Sequence, residues 1–267
     1  VANTRKLIDE NKVFALMAYY GSSPTTEAMK LFSEAKTPLL GTISGAGSLR
    51  SPVNRYMFHL RASYADETEA IVNHLVGLGI NQIAVFYQND GFGKAGLDGV
   101  TAALKRHNLT PAAVATVERN SLDVNAAVQS IAKANPQAVV MVTLYKPSAA
   151  FIRAMKQAGQ HPMFMTLSPV GTEQLVDTLG NEARGIGISQ VVPYPWNDTI
   201  PVVRDYQKIA PKPHMLSADG KFSWEEVECL GACANAPMAQ IGKDFYEDLT
   251  ADKLAELIDA MTAGQVP

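Results

Sequence analysis

The chain has 267 residues, a formal net charge of −3, 47% hydrophobic residues and 18% charged ones. This is the composition of a globular protein with room for one large or two medium domains. The near-neutral charge, with no run of Lys or Arg, argues against a nucleic-acid partner, and no apolar stretch approaches the roughly 20 residues that span a bilayer. The start, Val1-Ala2-Asn3-Thr4-Arg5, has neither an initiating Met nor an apolar signal core, so the chain reads as processed, trimmed or lacking its true beginning. Its two cysteines, Cys229 and Cys233, exclude a disulfide framework.

In chain order, Val13–Ala18 reads as a strand, and Ser23-Pro24 opens a helix through about Glu34, with Ser as cap and Pro at the first position. Residues 38–41 form a short strand. Ser63-Tyr64-Ala65-Asp66 is a capping-box pattern that opens a helix through about Leu78. From residue 82 the alternation becomes regular. Gln82–Tyr87 is a strand, Leu97–His107 a helix and Ala112–Val117 a strand. Val124–Ala134 is a helix capped by Ser121 or Asp123. Ala138–Leu144 is a strand apolar on both faces. Pro147 suits the first turn of a helix through about Ala158, and Gly159 suits its C′ position. Met163–Leu167 and Gly185–Val192 are further strands. Apolar strands alternating with helices of about 11 residues imply βαβ units and a parallel sheet covered on both faces. The first 81 residues are short of strands, and a complete doubly wound domain would need about two more βα units, expected before residue 1.

The style changes near residue 205. Residues 210–220 (APKPHMLSADG) are Pro-rich and without period, residues 225–233 read as strand or loop, and Ala251–Thr262 as a final helix. About 50 residues are too few for a robust core alone. No nucleophile elbow, phosphate-cradling loop or His-rich metal spacing is present. His59, His74 and His107 read as structural or solvated.

Several stretches together resemble one family. They are residues 6–18 (KLIDENKVFALMA), 21–25 (GSSPT), 37–47 (TPLLGTISGAG), 58–68 (FHLRASYADET), 85–93 (VFYQNDGFG) and 145–147 (YKP). In order and spacing, residues 1 to about 205 resemble the leucine/branched-chain amino-acid-type periplasmic solute-binding proteins that serve ABC importers. The resemblance implies an α/β, two-lobed type I periplasmic-binding-protein fold, with lobe one (1–80) incomplete and lobe two spanning 81–205. It also implies a periplasmic location, importer membrane subunits as partners and no cofactor. The ligand would be a small organic solute, an amino acid or a related carboxylate or amide, held between lobes that close by a hinge.

Ligands of open α/β sheets sit beyond the carboxyl ends of strands, and the loops at 21–25, 42–47, 88–93 and 145–147 each follow a predicted strand. Ser22 and Ser23 place hydroxyls and backbone N–H groups at a helix start, which suits a carboxylate. Thr42, Ser44, Gly45 and Ala46 allow close backbone approach with further donors. Phe92 and Tyr145 would close over a ligand side chain from the other lobe. Each has a plainer reading: a helix cap, a tight turn, a core or rim aromatic. Leucine-type binders hold the ligand ammonium with an acid after the strand corresponding to Met163–Leu167. Here Ser168 stands at that place, so a carboxylate without an amine, or an amide, becomes as plausible as an α-amino acid. Arg61 is a candidate counter-charge or, equally, a hinge or lobe-interface residue.

Residues 222–238 (FSWEEVECLGACANAPM) and 244–249 (DFYEDL) resemble a second family, so residues 206–267 are similar to the C-terminal end of the small thioredoxin-like [2Fe–2S] subunit of bacterial NADH:quinone oxidoreductase. There the pair at Cys229 and Cys233 would supply half the metal ligands of the cluster. A cluster needs four thiolates, so [2Fe–2S] is expected only if other thiolates are supplied, and complex I subunits are partners only if this tail is functional. The two resemblances make the chain read as a chimera, by fusion or by joining of two genes. A single reading frame encoding all of it would count against a joining error. The alternatives to a transport receptor are an iron–sulfur electron carrier and a cytoplasmic ligand sensor on the same fold.

Overall fold

The computed structural model describes residues 1–195, 197–209, 239–241, 244–246 and 250–265. The chain divides into two compact units, Val1–Val192 and Pro193–Pro267. The first is an α/β body with two parallel sheets, as expected from the alternation of apolar strands and amphipathic helices.

Its larger sheet has the order β5-β4-β6-β7-β8, all parallel, from β4 (Ile83–Gln88), β5 (Val114–Val117), β6 (Ala138–Val142), β7 (Met163–Thr166) and β8 (Gly187–Ile188). The two central strands are apolar on both faces because both faces are covered. Ile83, Val85, Val140 and Val142 join a cluster with Ile71, Val72 and Leu75 of α3 (Tyr64–Gly77) and Val100 and Leu104 of α4 (Gly91–Arg106). Ala84, Phe86, Val139 and Met141 face Ile131 of α5 (Asn125–Ala134) and Phe151, Ile152 and Met155 of α6 (Tyr145–Gln157). Phe86 stacks on Phe151 with ring centroids 4.1 Å apart.

The smaller sheet pairs β1 (Leu16–Met17), β2 (Leu39–Leu40) and β3 (Met57–Phe58) in that order, also parallel. Leu16, Leu39 and Met57 are buried, together with Ala28 and Phe32 of α2 (Ser22–Glu34). The other face is open, with Met17 71% and Phe58 48% exposed. Before it, α1 (Ala2–Arg5) runs into a π-turn through Glu10.

Several boundaries differ from expectation for local reasons. Helix α2 starts at Ser22, and its cap is Gly21 at φ 90°, so the serines lie inside the first turn. Strand β3 is unanticipated, as are α7 (Thr172–Leu179) and, in the second unit, α8 (Pro201–Ile209). Helix α4 begins at Gly91, six residues before the predicted Leu97, because Asp90 caps it. Its glycines look unhelical but permit packing. A Cβ on Gly96 would lie 2.4 Å from Val142 Cγ1, and one on Gly99 2.4 Å from Thr68 Oγ1. Helix α5 is capped by Val124, not by Ser121 or Asp123. Asp123 stands one residue earlier and accepts from the Asn125 N–H at 3.2 Å. Pro147 and Gly159 (φ 73°) take their expected places around α6.

The second unit contains α8, an antiparallel hairpin of β9 (Ala239–Ile241) and β10 (Asp244–Tyr246), and α9 (Ala251–Thr262). Helix α9 has its predicted bounds, with Thr250 accepting from the Lys253 N–H at 3.1 Å. Cys229 and Cys233 lie outside the described residues.

Candidate functional site

In the larger sheet the chain steps from β4 outward to β5, then returns across to β6. The β4/β6 boundary is therefore a topological switch point, where the loops beyond the strands part and leave a crevice. Gln88 ends β4, Asp90 and Phe92 follow it, Leu144 follows β6, Arg119 follows β5 and Pro169 follows β7. Opposite lie loops at the carboxyl ends of β1 and β2, joined by a parallel bridge between Tyr20 and Ile43. Together with Gly21, Ser22, Ser23, Pro24 and Tyr64 these residues enclose a cavity of about 60 Å³. The two sides touch here, since a Cβ on Gly91 would stand 3.0 Å from Ser23 Oγ. A wider depression of about 510 Å³, lined by residues such as Lys156, His161 and Arg184, lies at the amino end of β7 and is built from one sheet alone. Chain topology favours the smaller cavity, because strand carboxyl ends gather the loops.

Two helices begin at the cavity. Asp90 caps α4, its Oδ1 accepting the Phe92 and Gly93 N–H groups at 3.0 Å each, while Oδ2 accepts Gln88 Nε2 at 2.6 Å. Helix α2 begins at Gly21, which has no side chain to accept from the first turn. Phe92 is 8% exposed and meets the Tyr64 ring edge-on at 5.2 Å.

Of the residues singled out in the sequence, Ser22, Ser23 and Phe92 line this cavity. Ser44 stands directly behind Ser22, their hydroxyls 2.9 Å apart and both buried. Gly45 packs under Tyr64: it accepts the Tyr64 N–H at 2.7 Å, and a Cβ would come within 2.6 Å of that nitrogen. Ala46 is fully buried, and Thr42 is buried with no partner for its hydroxyl. Tyr145 packs against the core on the α5/α6 side of the sheet, away from the cavity lining.

Ser168 belongs to a different cluster. Its Oγ accepts from Arg61 Nη2 at 2.8 Å and its N–H donates to Glu67 Oε2 at 2.9 Å. Glu67, 4% exposed, also pairs with Arg61 at 2.6 Å and accepts from Ser189 Oγ at 2.6 Å. Arg61 lies on the crossover from β3 to α3, so one buried carboxylate ties that crossover to the ends of β7 and β8. The Arg61 guanidinium is thus already engaged by Glu67 and Ser168. The sequence reading missed Tyr20, Tyr64, Gln88, Asp90 and Arg119. An Asp before Gly-Phe-Gly is itself a helix-cap signal, and Tyr64 follows the capping serine directly.

A family model described as periplasmic binding protein matches residues 1–265. The chain belongs to the periplasmic binding-protein family. Among solved structures it is similar to a possible leucine/isoleucine/valine-binding protein of Rhodopirellula baltica, at 33% identity and a TM-score of 0.71, covering 78% of this chain and 57% of that one. A substrate-binding periplasmic protein of Ralstonia solanacearum matches at 30% and 0.70, covering 78% and 59%. A branched-chain amino-acid ABC-transporter protein of Thermus thermophilus with bound valine shares the fold at 20% and 0.69, covering 78% and 54%. The chain thus spans a little over half the length of these neighbours.

The C-terminal region has other relatives as well. It is similar to the E subunit of the NADH-quinone oxidoreductase of Rickettsia conorii, 49% identical over 55 residues covering 21% of this chain and 33% of that protein. An E subunit of the Rhizobium meliloti NADH-quinone oxidoreductase is 40% identical over 116 residues, covering 43% and 38%. The binding-protein match and the oxidoreductase match both claim this tail. The local identity and the residues 222–238 signature favour the oxidoreductase there. The tail does not fit a cluster by itself, since Cys229 and Cys233 are the only thiols in the sequence and supply two of four donors. Among the described residues there is no metal-ligating cluster, and no helix is long and apolar enough to cross a membrane.

Proposed function

We propose that residues 1–192 act as a non-enzymatic receptor that binds a small organic solute bearing a carboxylate or amide in the cleft between the two sheets, in the periplasm, for delivery to an ABC importer. The observation that carries this reading is the convergence of two helix starts, one from each sheet, on a single cavity at the carboxyl ends of the strands. The start of α2 has no side-chain cap and presents a positive dipole end, which suits an acid or amide oxygen, while the start of α4 is capped by Asp90. Phe92 and Tyr64 supply apolar surface beside them. The Glu67 cluster then serves as the hinge about which the lobes open to admit the solute.

The test is a thermal-melt screen against small carboxylates, amides and amino acids. A solute held only by the folded state at 100 times its Kd stabilises by about 2.7 kcal/mol. Ser22→Ala, which removes a lining hydroxyl and leaves Ser44 with the Ala46 N–H as its partner, should weaken that stabilisation while the unliganded melt falls only slightly. A screen in which no solute raises the melting temperature would sink the receptor reading.

A further inference from the structure

We infer that the larger sheet carries a second binding site, remote from the cleft, for a small amphipathic organic anion. It stands apart from the receptor reading above, because none of its residues comes from the smaller sheet.

The site is the depression of about 510 Å³ at the amino ends of β6, β7 and β8, the opposite end of the sheet from the cleft. Its volume falls within the range of about 300–1,000 Å³ usual for ligand pockets. Three nitrogen-bearing side chains reach it from three segments. Lys156 comes from the last turn of α6, His161 from the loop into β7, and Arg184 from the turn before β8. No acid is among the residues that line it. The neighbouring Glu182 carboxylate is taken by Arg153, whose Nε stands 3.2 Å from its Oε1. Lys156 donates instead to the neutral Glu182 carbonyl at 2.9 Å, which leaves two of its N–H donors and its charge without an acid. The Arg184 and His161 side chains have no hydrogen-bond or ion-pair partner among the described residues.

The floor between these groups is apolar. Phe164 is buried in one core cluster of the sheet, and Met163 and Ile186 pack half-buried against the two clusters. Cations gathered without acids repel one another, and an anion shared among them relieves the repulsion. An apolar body attached to that anion covers the floor and removes it from water. A bare inorganic anion leaves the floor wet, and a neutral apolar molecule leaves the donors without an acceptor. Only a ligand with both parts uses the whole site. Such a ligand touches nothing on the smaller sheet, so it has no differential contact by which to alter the opening of the cleft.

The experiment titrates the full chain, its methionine methyl groups labelled with carbon-13, against 2-naphthoate, 2-naphthamide and pyrophosphate, and reads heat and methyl shifts together. The naphthoate should bind with a Kd on the order of 0.1–1 mM and about tenfold or more tightly than the amide of the same shape. Pyrophosphate, which covers no apolar floor, should bind more weakly than the naphthoate. The Met163 methyl, assigned through Met163→Leu, should shift, and those of Met17 and Met57 in the smaller sheet should not. Lys156→Gln and Arg184→Gln should each weaken the naphthoate about two- to five-fold at low salt and less at high salt, as expected of partly exposed charges, while the melting temperature holds. Naphthamide binding as tightly as naphthoate overturns the anionic half of the ligand, and pyrophosphate binding more tightly overturns the apolar half. Undiminished binding in the double variant of Lys156→Gln with Arg184→Gln, or shifts that spare Met163, overturns the location. No saturable binding of naphthoate overturns the site and leaves the cleft untouched.

Discussion

Single residues in this protein matter most where backbone meets backbone. Gly93 sits in the first turn of α4, and a Cβ there would lie 1.8 Å from the Gln88 carbonyl oxygen. Neither partner can swing aside, because Gln88 ends a buried central strand. Gly93→Ala should therefore lower stability by about 2–4 kcal/mol, the range of severe overpacking. Gly79 is different in kind. Its φ of 78° makes a side chain strained, but nothing lies within 4 Å, so Gly79→Ala should lose only about 1 kcal/mol. Denaturant midpoints of the two variants check this. Equal losses would mean that α4 is not pressed against β4 as described. The same close approach of backbone occurs at Gly45, whose small size admits Tyr64.

At the scale of an element, α3 shows how a local signal becomes a crossover. Ser63 accepts from the Asp66 N–H at 3.1 Å, and Asp66 Oδ2 accepts from the Ser63 N–H at 2.8 Å. The Ser63 hydroxyl bond to Asp66, followed by the backbone bond, holds the Asp66 carboxyl below its ordinary value of 3.8. A carboxyl whose folded pKa lies below its unfolded one stabilises the fold above the unfolded pKa, and that contribution is lost as the pH falls through the folded value. Ser63→Ala should thus lower stability by about 1 kcal/mol at pH 7. Its deficit against the parent should shrink as the pH falls below 3.8 and through the lowered folded value, where Asp66 becomes protonated in both. Thermal melts at pH 7 and pH 2.5 read the difference, and a deficit independent of pH would remove Asp66 from the account. The capping box was legible because all of its partners lie within four residues. The start of α4 was not, because its glycines are tolerated only through Val142 and Thr68, distant in sequence.

For the whole molecule, the buried Glu67 cluster decides how the two sheets are joined. Glu67→Gln keeps the shape and the acceptor for Ser168 but leaves Arg61, with its side chain 11% exposed, without a counter-charge. Breaking a buried pair from one side costs about 3–5 kcal/mol, whereas replacing both partners by apolar groups is often neutral. The double variant Arg61→Met with Glu67→Leu should therefore recover most of what Glu67→Gln loses in a denaturant titration. A double variant as unstable as the single one would show that the cluster acts through its hydrogen bonds to Ser168 and Ser189. At the same scale, the two thiols of the tail predict a colourless protein. Iron analysis should find well below one iron per chain, since a cluster takes four thiolates; stoichiometric iron with visible absorbance would mean that thiolates from more than one chain combine.

Much of the larger sheet and its helices could be read from sequence, because apolar strands buried on both faces announce themselves through hydrophobic runs, and helices through a period of 3.6. Caps and turns such as Ser63 and Gly159 were legible for the same reason: the bonds they make are local. The family was legible from the order of its loops. Tertiary structure decided what each loop residue does. Ser22 and Ser23 came to face the cavity while Ser44, Gly45 and Tyr145 packed behind or away from it. Ser168 joined a buried cluster with Glu67, 101 positions away in the chain. Which atoms remain unpaired at a site depends on every neighbour that folding brings there, and no local pattern encodes that set.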